Sequence, residues 1–271
     1  MSRIGLGILT DMAREIYRAV HPLLGLPESG RTISIGFGGD RTRLIDQIAE
    51  ETVIHYLKRR GLPCILIGEE SGVQKIGKNP KEYLIVDAVD GTTNAVRGIH
   101  FASASLASAT TDSLRGIETA VVIDLFNGEL YTAERDEGAR RDGKKIAPSK
   151  ISTLKRSIVS IDVSSTPERL DMVIPLMKAT RRVRSLGAAS LEICHVASGA
   201  LDAYVDVRGK IRTLDFAAAM LILQEAGGFF DLSNAINEQE EIPLTELKRF
   251  SIIAAANENL YSEIVSLISH S

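Results

Sequence analysis

Apolar residues near the start of the chain recur at helical spacing. Leu6, Leu9, Met12, Ile16 and Val20 fall at three- and four-residue intervals, which predicts an amphipathic helix ending before Pro22 and Gly25. Ile33, Ile35 and Phe37 then alternate, the period of a strand. A second helix is marked by Leu44, Ile48, Ala49, Thr52, Val53, Tyr56 and Leu57; Lys58, Arg59 and Arg60 favour the negative end of its dipole, and Gly61 stands where a helix stops. Two apolar runs of strand length follow, 64–67 and 83–86, and each leads into carboxylates: Glu69 with Glu70, and Asp87 with Asp90.

Further strands are predicted at 101–109, 119–124 and 130–134, with turns at Arg115-Gly116 and Asn127-Gly128, so the first half reads as α+β. Beyond about Lys150 strands and helices alternate. We expect a strand at 158–161, helices at 167–179 and 191–197, a strand at 203–207, a helix at 215–226, strands near Phe229 and at 251–255, and a last helix at 259–268. This is the α/β pattern. The expected organisation is an N-terminal α+β subdomain over 1–145 and a C-terminal α/β subdomain over 146–271, packed closely because no repeat or low-complexity linker separates them.

Composition narrows the function classes. A net charge of -3 gives no reason to expect nucleic acid as a partner. Cys64 and Cys194 are far apart and outside any Cys-x-x-Cys pattern, which argues against a disulfide framework or a structural zinc site. No apolar run is long enough to span a bilayer, and Asp11, Arg14 and Glu15 break up the first apolar stretch, so a cytoplasmic protein with no membrane partner is expected.

The chemistry concentrates where an apolar strand gives way to Asp87-Ala88-Val89-Asp90-Gly91-Thr92-Thr93-Asn94. Hard cations such as Mg²⁺ take oxygen ligands, usually a few carboxylates completed by substrate phosphate and water. Two aspartates on a tight turn suit a pair of such ions, while Gly91 lets the backbone approach a ligand and the amides of Gly91, Thr92 and Thr93 can cradle an anion. Gly68-Glu69-Glu70-Ser71-Gly72 supplies further acids, and Asp215 opens an Ala-rich helix whose small side chains allow close packing. Read alone, Glu69-Glu70 is also consistent with a solvated loop and Asp215 with a helix cap. Glu192 and His195 form a single Glu-x-x-His, whereas a di-iron site needs two. The segment 36–40, Gly-Phe-Gly-Gly-Asp, is not a dinucleotide fingerprint and reads as a loop.

Taken together, Glu69-Glu70, the Asp87 to Asn94 run, and Leu214-Asp215-Phe216-Ala217-Ala218 with Glu225-Ala226-Gly227-Gly228 resemble the three signatures of the inositol monophosphatase family. More broadly they are similar to the superfamily that includes fructose-1,6-bisphosphatases. The resemblance covers nearly the whole chain, with the motifs in the family's order and spacing. It implies a layered αβαβα sandwich and a Mg²⁺-dependent phosphoric monoester hydrolase, a homodimer with two or three ions per active site.

On that resemblance Glu69, Asp87 and the Val89 carbonyl hold the first Mg²⁺, Asp87, Asp90 and Asp215 hold the second, and Glu69 shares a third, weaker ion. Asp46 matches the family's acid that pairs with the motif threonine, so Asp46 and Thr92 would activate the attacking water. Gly187-Ala188-Ala189 matches the segment whose backbone meets the polyol, and Asp90, Gly91, Thr92, Thr93 and Asp215 face the substrate. The chain departs from the pattern at Ala88, where Pro is usual, and at Leu214, where Trp is usual; neither change removes a metal ligand.

Arg208 stands where the animal enzymes carry an inositol-contacting Glu, and with Lys210 and Arg212 it makes this stretch basic. A planar guanidinium can hold a second phosphate. The chain is therefore expected to resemble the archaeal type that acts on both inositol monophosphate and fructose 1,6-bisphosphate. Two alternatives stay open: a 3′-phosphoadenosine 5′-phosphate or NADP(H) phosphatase on the same scaffold, and a catalytically silent regulatory subunit. The second gives no reason to keep a set of mutually repelling acids.

Overall fold

The structure, a computed structural model, describes residues 4–36, 41–232, 241–246 and 248–268. Its first helix, α1 (Leu6–Val20), buries the predicted stripe Leu9, Met12, Ile16 and Val20. A two-stranded ribbon, β1 (Thr32–Ile35) with β2 (Arg41–Arg43), leads into α2 (Leu44–Arg60), which stops where Gly61 takes the left-handed conformation at φ 61°. All four residues of β1 are exposed, so the alternation there reflects no buried face; Phe37 and the rest of 37–40 lie outside the described residues.

An eight-stranded sheet follows, made of β3 (Cys64–Gly68), β4 (Gly72–Ile76), β5 (Tyr83–Asp90), β6 (Ser103–Ala109), β7 (Ile117–Asp124), β8 (Leu130–Glu134), β9 (Gly138–Arg141) and β10 (Lys144–Lys145). Its order is β10-β9-β8-β7-β6-β5-β3-β4, antiparallel except where β3 runs parallel to β5. A short helix, α3 (Thr92–Arg97), sits between β5 and β6. The second sheet has five strands in the order β12-β11-β13-β15-β14: β11 (Ile158–Asp162), β12 (Arg182–Arg184), β13 (Ala203–Arg212), β14 (Phe229–Leu232) and β15 (Arg249–Ala255). Around it lie α4 (Leu170–Ala179), α5 (Ala189–Ala197), α6 (Thr213–Glu225) and α7 (Glu258–Ile268).

Burial assigns the layers. In α6, Leu214, Phe216, Ala217, Ala218, Leu221, Ile222 and Leu223 are all buried, a helix apolar on every side and therefore one enclosed by protein. With α5 it fills the space between the sheets, in a core that joins Ile85, Ala120 and Val122 of the large sheet to Tyr204, Phe250 and Ile252 of the small one. Each large apolar side chain buried there contributes about 1.5–3 kcal/mol. α1 and α2 cover the outer face of the large sheet, and α4 and α7 that of the small one, which completes the αβαβα sandwich. No helix among the described residues is long and apolar enough to cross a membrane.

Two strands, β5 (Tyr83–Asp90) and β13 (Ala203–Arg212), run well past their predicted ends at 86 and 207, and both matter for the cleft. β5 continues through Asp87 to Asp90 across a register irregularity against β6, and the expected Gly-Thr-Thr turn is instead the start of α3. β13 continues through Arg208 to Arg212 across another irregularity between Asp206 and Ile211, beyond the strand predicted at 203–207. An extra residue in a ladder breaks the two-residue alternation from which a strand is recognised.

Candidate active site

The chain ends of β3, β5 and β13 and the starts of α3, α5 and α6 meet at one polar cleft of about 200 Å³. Its walls are Glu69, Asp87, Val89, Asp90, Gly91, Thr92, Asp162, Gly187, Ala189, Arg208, Ile211, Arg212 and Asp215. The structure thus brings together acids drawn from four separate stretches of sequence. Asp46 is buried just behind, against Thr92, while Thr93 is exposed and Ala188 is buried beneath the cleft floor.

Each acid is aimed by its own backbone or by a distant partner. Asp87 accepts the Val89 amide at 3.2 Å, which fixes its side chain over the β5 irregularity. Asp90 is gripped by α5: it accepts the Ala189 amide at 3.2 Å, the Ser190 amide at 2.7 Å and the Ser190 hydroxyl at 2.6 Å. Asp215 is the third residue of α6 rather than its cap; its carboxylate accepts the Arg212 amide at 2.8 Å and so closes the helix start. Gly91, at φ +85°, lets β5 pass into α3, and a Cβ there would lie 3.0 Å from Ala188. Asn94 ties the two sides of the cleft together by donating to the Phe101 carbonyl at 2.8 Å and the Leu186 carbonyl at 2.7 Å.

So many buried carboxylates repel their own ionisation. Burial first, then Glu69, Asp90 and Asp215, push Asp87 well above the usual carboxylate range. Glu69 is raised to about 8 by burial, with Asp215 adding to the shift and Arg212 opposing it. Asp90 is raised to about 6, again by burial first, against the bonds from Ser190. Among the described residues no three acidic, histidine or cysteine side chains already close on one point as a cation cage. Instead the Arg212 guanidinium bridges Glu69 at 2.6 Å and Asp215 at 3.0 Å. Burial works against its charge, but Asp215 and Glu69 outweigh burial and hold it protonated.

Asp46 closes the start of α2 by accepting the Arg43 amide at 2.9 Å, and burial raises it to about 6 although that amide favours its charge. The Thr92 hydroxyl proton, however, goes to the Val89 carbonyl at 3.0 Å, leaving Asp46 Oδ1 buried with no hydrogen-bond partner among the described residues.

The three basic residues near Asp215 part company. Arg208 lines the cleft, but its guanidinium is held by Asp206 at 2.5 Å and Asp162 at 3.0 Å. Lys210 is exposed and donates to the Ser165 carbonyl at 3.0 Å. Asp162 and Ser190 were not singled out from the sequence. Asp162 had a signal, an acid directly after the apolar run 158–161, the same address that marks Glu69 and Asp87. Ser190 had none, since its partner Asp90 is a hundred residues away. Glu192 and His195 share no site: Glu192 bonds Ser160 and the Leu186 amide, while the His195 ring packs edge-on to Phe101.

The sequence profile of the inositol monophosphatase family matches residues 36–271. A fructose-1,6-bisphosphatase/inositol-1-monophosphatase of Methanothermobacter thermautotrophicus is 35% identical, over 97% of this chain and 95% of its own. A bifunctional NADP phosphatase/NAD kinase of Methanococcus maripaludis is 34% identical over 96% of this chain, which corresponds to 48% of that larger relative. A solved inositol monophosphatase-fructose 1,6-bisphosphatase superposes with a TM-score of 0.83 at 26% identity, covering 98% of this chain and all of its own. Fold and relatives together define a phosphoric monoester hydrolase. The chain belongs to the inositol monophosphatase family.

Proposed function

We propose that the protein is a Mg²⁺-dependent phosphatase that hydrolyses a phosphate monoester of a small polyol or sugar, inositol monophosphate or fructose 1,6-bisphosphate. The observation that carries the reading is the cleft shared by Glu69, Asp87, Asp90 and Asp215 beside the Gly91–Thr92 backbone. The donor set fits a hard cation, being carboxylate and carbonyl oxygen throughout, and a positive group already bridges Glu69 and Asp215 in the form of Arg212. Glu69, Asp87 and the Val89 carbonyl would hold one ion and Asp87, Asp90 and Asp215 another, with Glu69 available to a third. Bound Mg²⁺ supplies Lewis-acid neutralisation of the phosphoryl charge and acidifies water.

The remaining work falls to the chain itself. Asp46, raised to about 6 and so ionised at neutral pH, offers its unpartnered Oδ1 as proton acceptor for the attacking water. Thr92, its own proton committed to Val89, presents oxygen lone pairs that orient that water. The amides of Gly91, Thr92 and Thr93 receive the phosphate, and the backbone of Gly187 and Ala189 meets the alcohol part of the substrate, whereas Ala188, expected to join them, lies buried below.

Arg208 bears on substrate choice. Asp206 and Asp162 aim its fork and offset part of its charge, so it contributes a directed hydrogen bond more than a free positive field. Arg208→Ala is expected to raise KM for fructose 1,6-bisphosphate roughly tenfold, the size of one charge-assisted hydrogen bond, and to leave inositol monophosphate nearly unchanged. Equal shifts for both substrates would remove Arg208 from the specificity account.

The NADP phosphatase/NAD kinase relative favours NADP as a second reading. A phosphate-release panel across inositol monophosphate, fructose 1,6-bisphosphate, 3′-phosphoadenosine 5′-phosphate and NADP, with and without Mg²⁺, decides between them. Release that ignores Mg²⁺, or that occurs only from the nucleotides, contradicts the polyol and sugar reading.

A further inference from the structure

Glu50 takes no part in the chemistry above, yet it governs the turn from which Glu69 projects. It lies on α2 one helical turn beyond Asp46 and is 4% exposed. Its carboxylate accepts the two backbone amides directly after Glu69: Glu70 N–H to Oε2 at 2.9 Å and Ser71 N–H to Oε1 at 3.0 Å. It also packs against the backbone directly before Glu69, since a Cβ on Gly68 would come within 2.5 Å of Oε1. The chain is therefore held by one side chain on both sides of a single cleft-lining acid.

A carboxylate suits two converging N–H donors because it only accepts; a carboxamide in its place turns one of its own N–H groups toward an amide N–H. Burying an acid next to Glu69 and Glu70 is costly, and a simple exposed hairpin turn can be solvated without it. What Glu50 adds is direction: with it, the three-residue turn between β3 and β4 has one way to point Glu69, toward Asp215 and Arg212. Because Asp46 and Glu50 are four residues apart on the same helix face, α2 sets both the water-facing acid and the Glu69 turn.

We propose that Glu50 is a positioning residue for divalent-cation binding, acting through the 68–71 turn to hold Glu69 in ligating orientation. The proposal rests on the Mg²⁺-phosphatase reading and is tested first without catalysis, by calorimetric titration of the metal-free protein with Mg²⁺. Glu50→Gln is expected to weaken Mg²⁺ binding about ten- to hundredfold, the usual effect of losing a group that orients a ligand. Its kcat at limiting Mg²⁺ falls in step and returns toward wild type when Mg²⁺ is raised by the same factor, with substrate KM at saturating Mg²⁺ unchanged. Gly68→Ala, which pushes on the same carboxylate from the backbone side, is expected to give the same Mg²⁺-rescued defect.

A purely structural role would lower the active fraction of either variant without any rescue. Wild-type Mg²⁺ affinity in Glu50→Gln, or lost activity that no Mg²⁺ concentration restores, overturns the proposal. A wild-type protein that binds no Mg²⁺ overturns the phosphatase reading along with it.

Discussion

Asp90→Asn is expected to lower kcat by at least about a thousandfold while leaving the protein folded, because on the proposed mechanism it removes one charge from the carboxylates that would hold the cations. The substitution is nearly isosteric. It keeps an oxygen for the Ser190 amide and hydroxyl, which bind Asp90 at 2.7 and 2.6 Å, and gives up only the longer bond from the Ala189 amide at 3.2 Å. It also relieves repulsion, since burial and Asp215 raise Asp90 to about 6 and a neutral side chain fits that environment better. With that loss offsetting the relief of repulsion, the metal-free variant should melt near the wild-type temperature while turnover disappears. Asp215→Asn should behave alike in turnover, although it also weakens the hold on Arg212. Near-wild-type rates in either variant, with phosphate release as the assay, would remove these acids from the mechanism.

The second large effect is on stability and follows from the sign of the shifts. Asp46 and Asp90 are raised to about 6 and Glu69 to about 8, from ordinary values near 4. A carboxyl whose folded pKa lies above its unfolded one binds its proton more tightly in the folded state. Its stabilising contribution is complete below the unfolded pKa and disappears as pH rises through the folded one. Metal-free protein should accordingly lose thermal stability between about pH 4 and about pH 8, the reverse of the behaviour of salt-bridged carboxylates.

Mg²⁺ replaces those protons. At a hundred times the dissociation constant, each site adds about 2.7 kcal/mol, so two sites should raise Tm by roughly 10 °C at pH 8. The gain shrinks toward pH 5, where protons compete for the same oxygens. Scanning fluorimetry with and without Mg²⁺ checks both limbs. A metal-free Tm that climbs over this window, or a Mg²⁺ gain independent of pH, would show that the acids are not held together as described.

Much of this cleft was legible in the sequence because its parts sit at breaks in strong patterns. An apolar run that ends in an acid marks Glu69 and Asp87, and the same rule, applied once more, marks Asp162. Helices α1 and α2 follow from stripe, basic last turn and terminal Gly. The short strands β9, β10 and β12 were missed because they are mostly basic: Arg140, Arg141, Lys144, Lys145, Arg182 and Arg184 leave only Ala139 and Val183 to mark a buried side near the sheet margins.

The irregularities inside β5 and β13 were illegible for a different reason: they exist only relative to partner strands. Those are the features that turn Asp87, Asp90 and Arg212 into the cleft. The Arg212 bridge shows the same limit, since Arg212 is near Asp215 in sequence but meets Glu69 across 143 residues. Periodicity reports which face of an element is buried; it says nothing about which polar groups from remote segments end up opposite each other.

The most direct test is an anomalous-diffraction map of crystals soaked in Mn²⁺, a scatterer that takes Mg²⁺ sites. The account predicts two peaks roughly 3.5–4 Å apart, the first against Glu69, Asp87 and the Val89 carbonyl and the second against Asp87, Asp90 and Asp215, with Arg212 withdrawn from Glu69. A cleft without density, Arg212 still bridging Glu69 and Asp215, and Mn²⁺ bound elsewhere would contradict it.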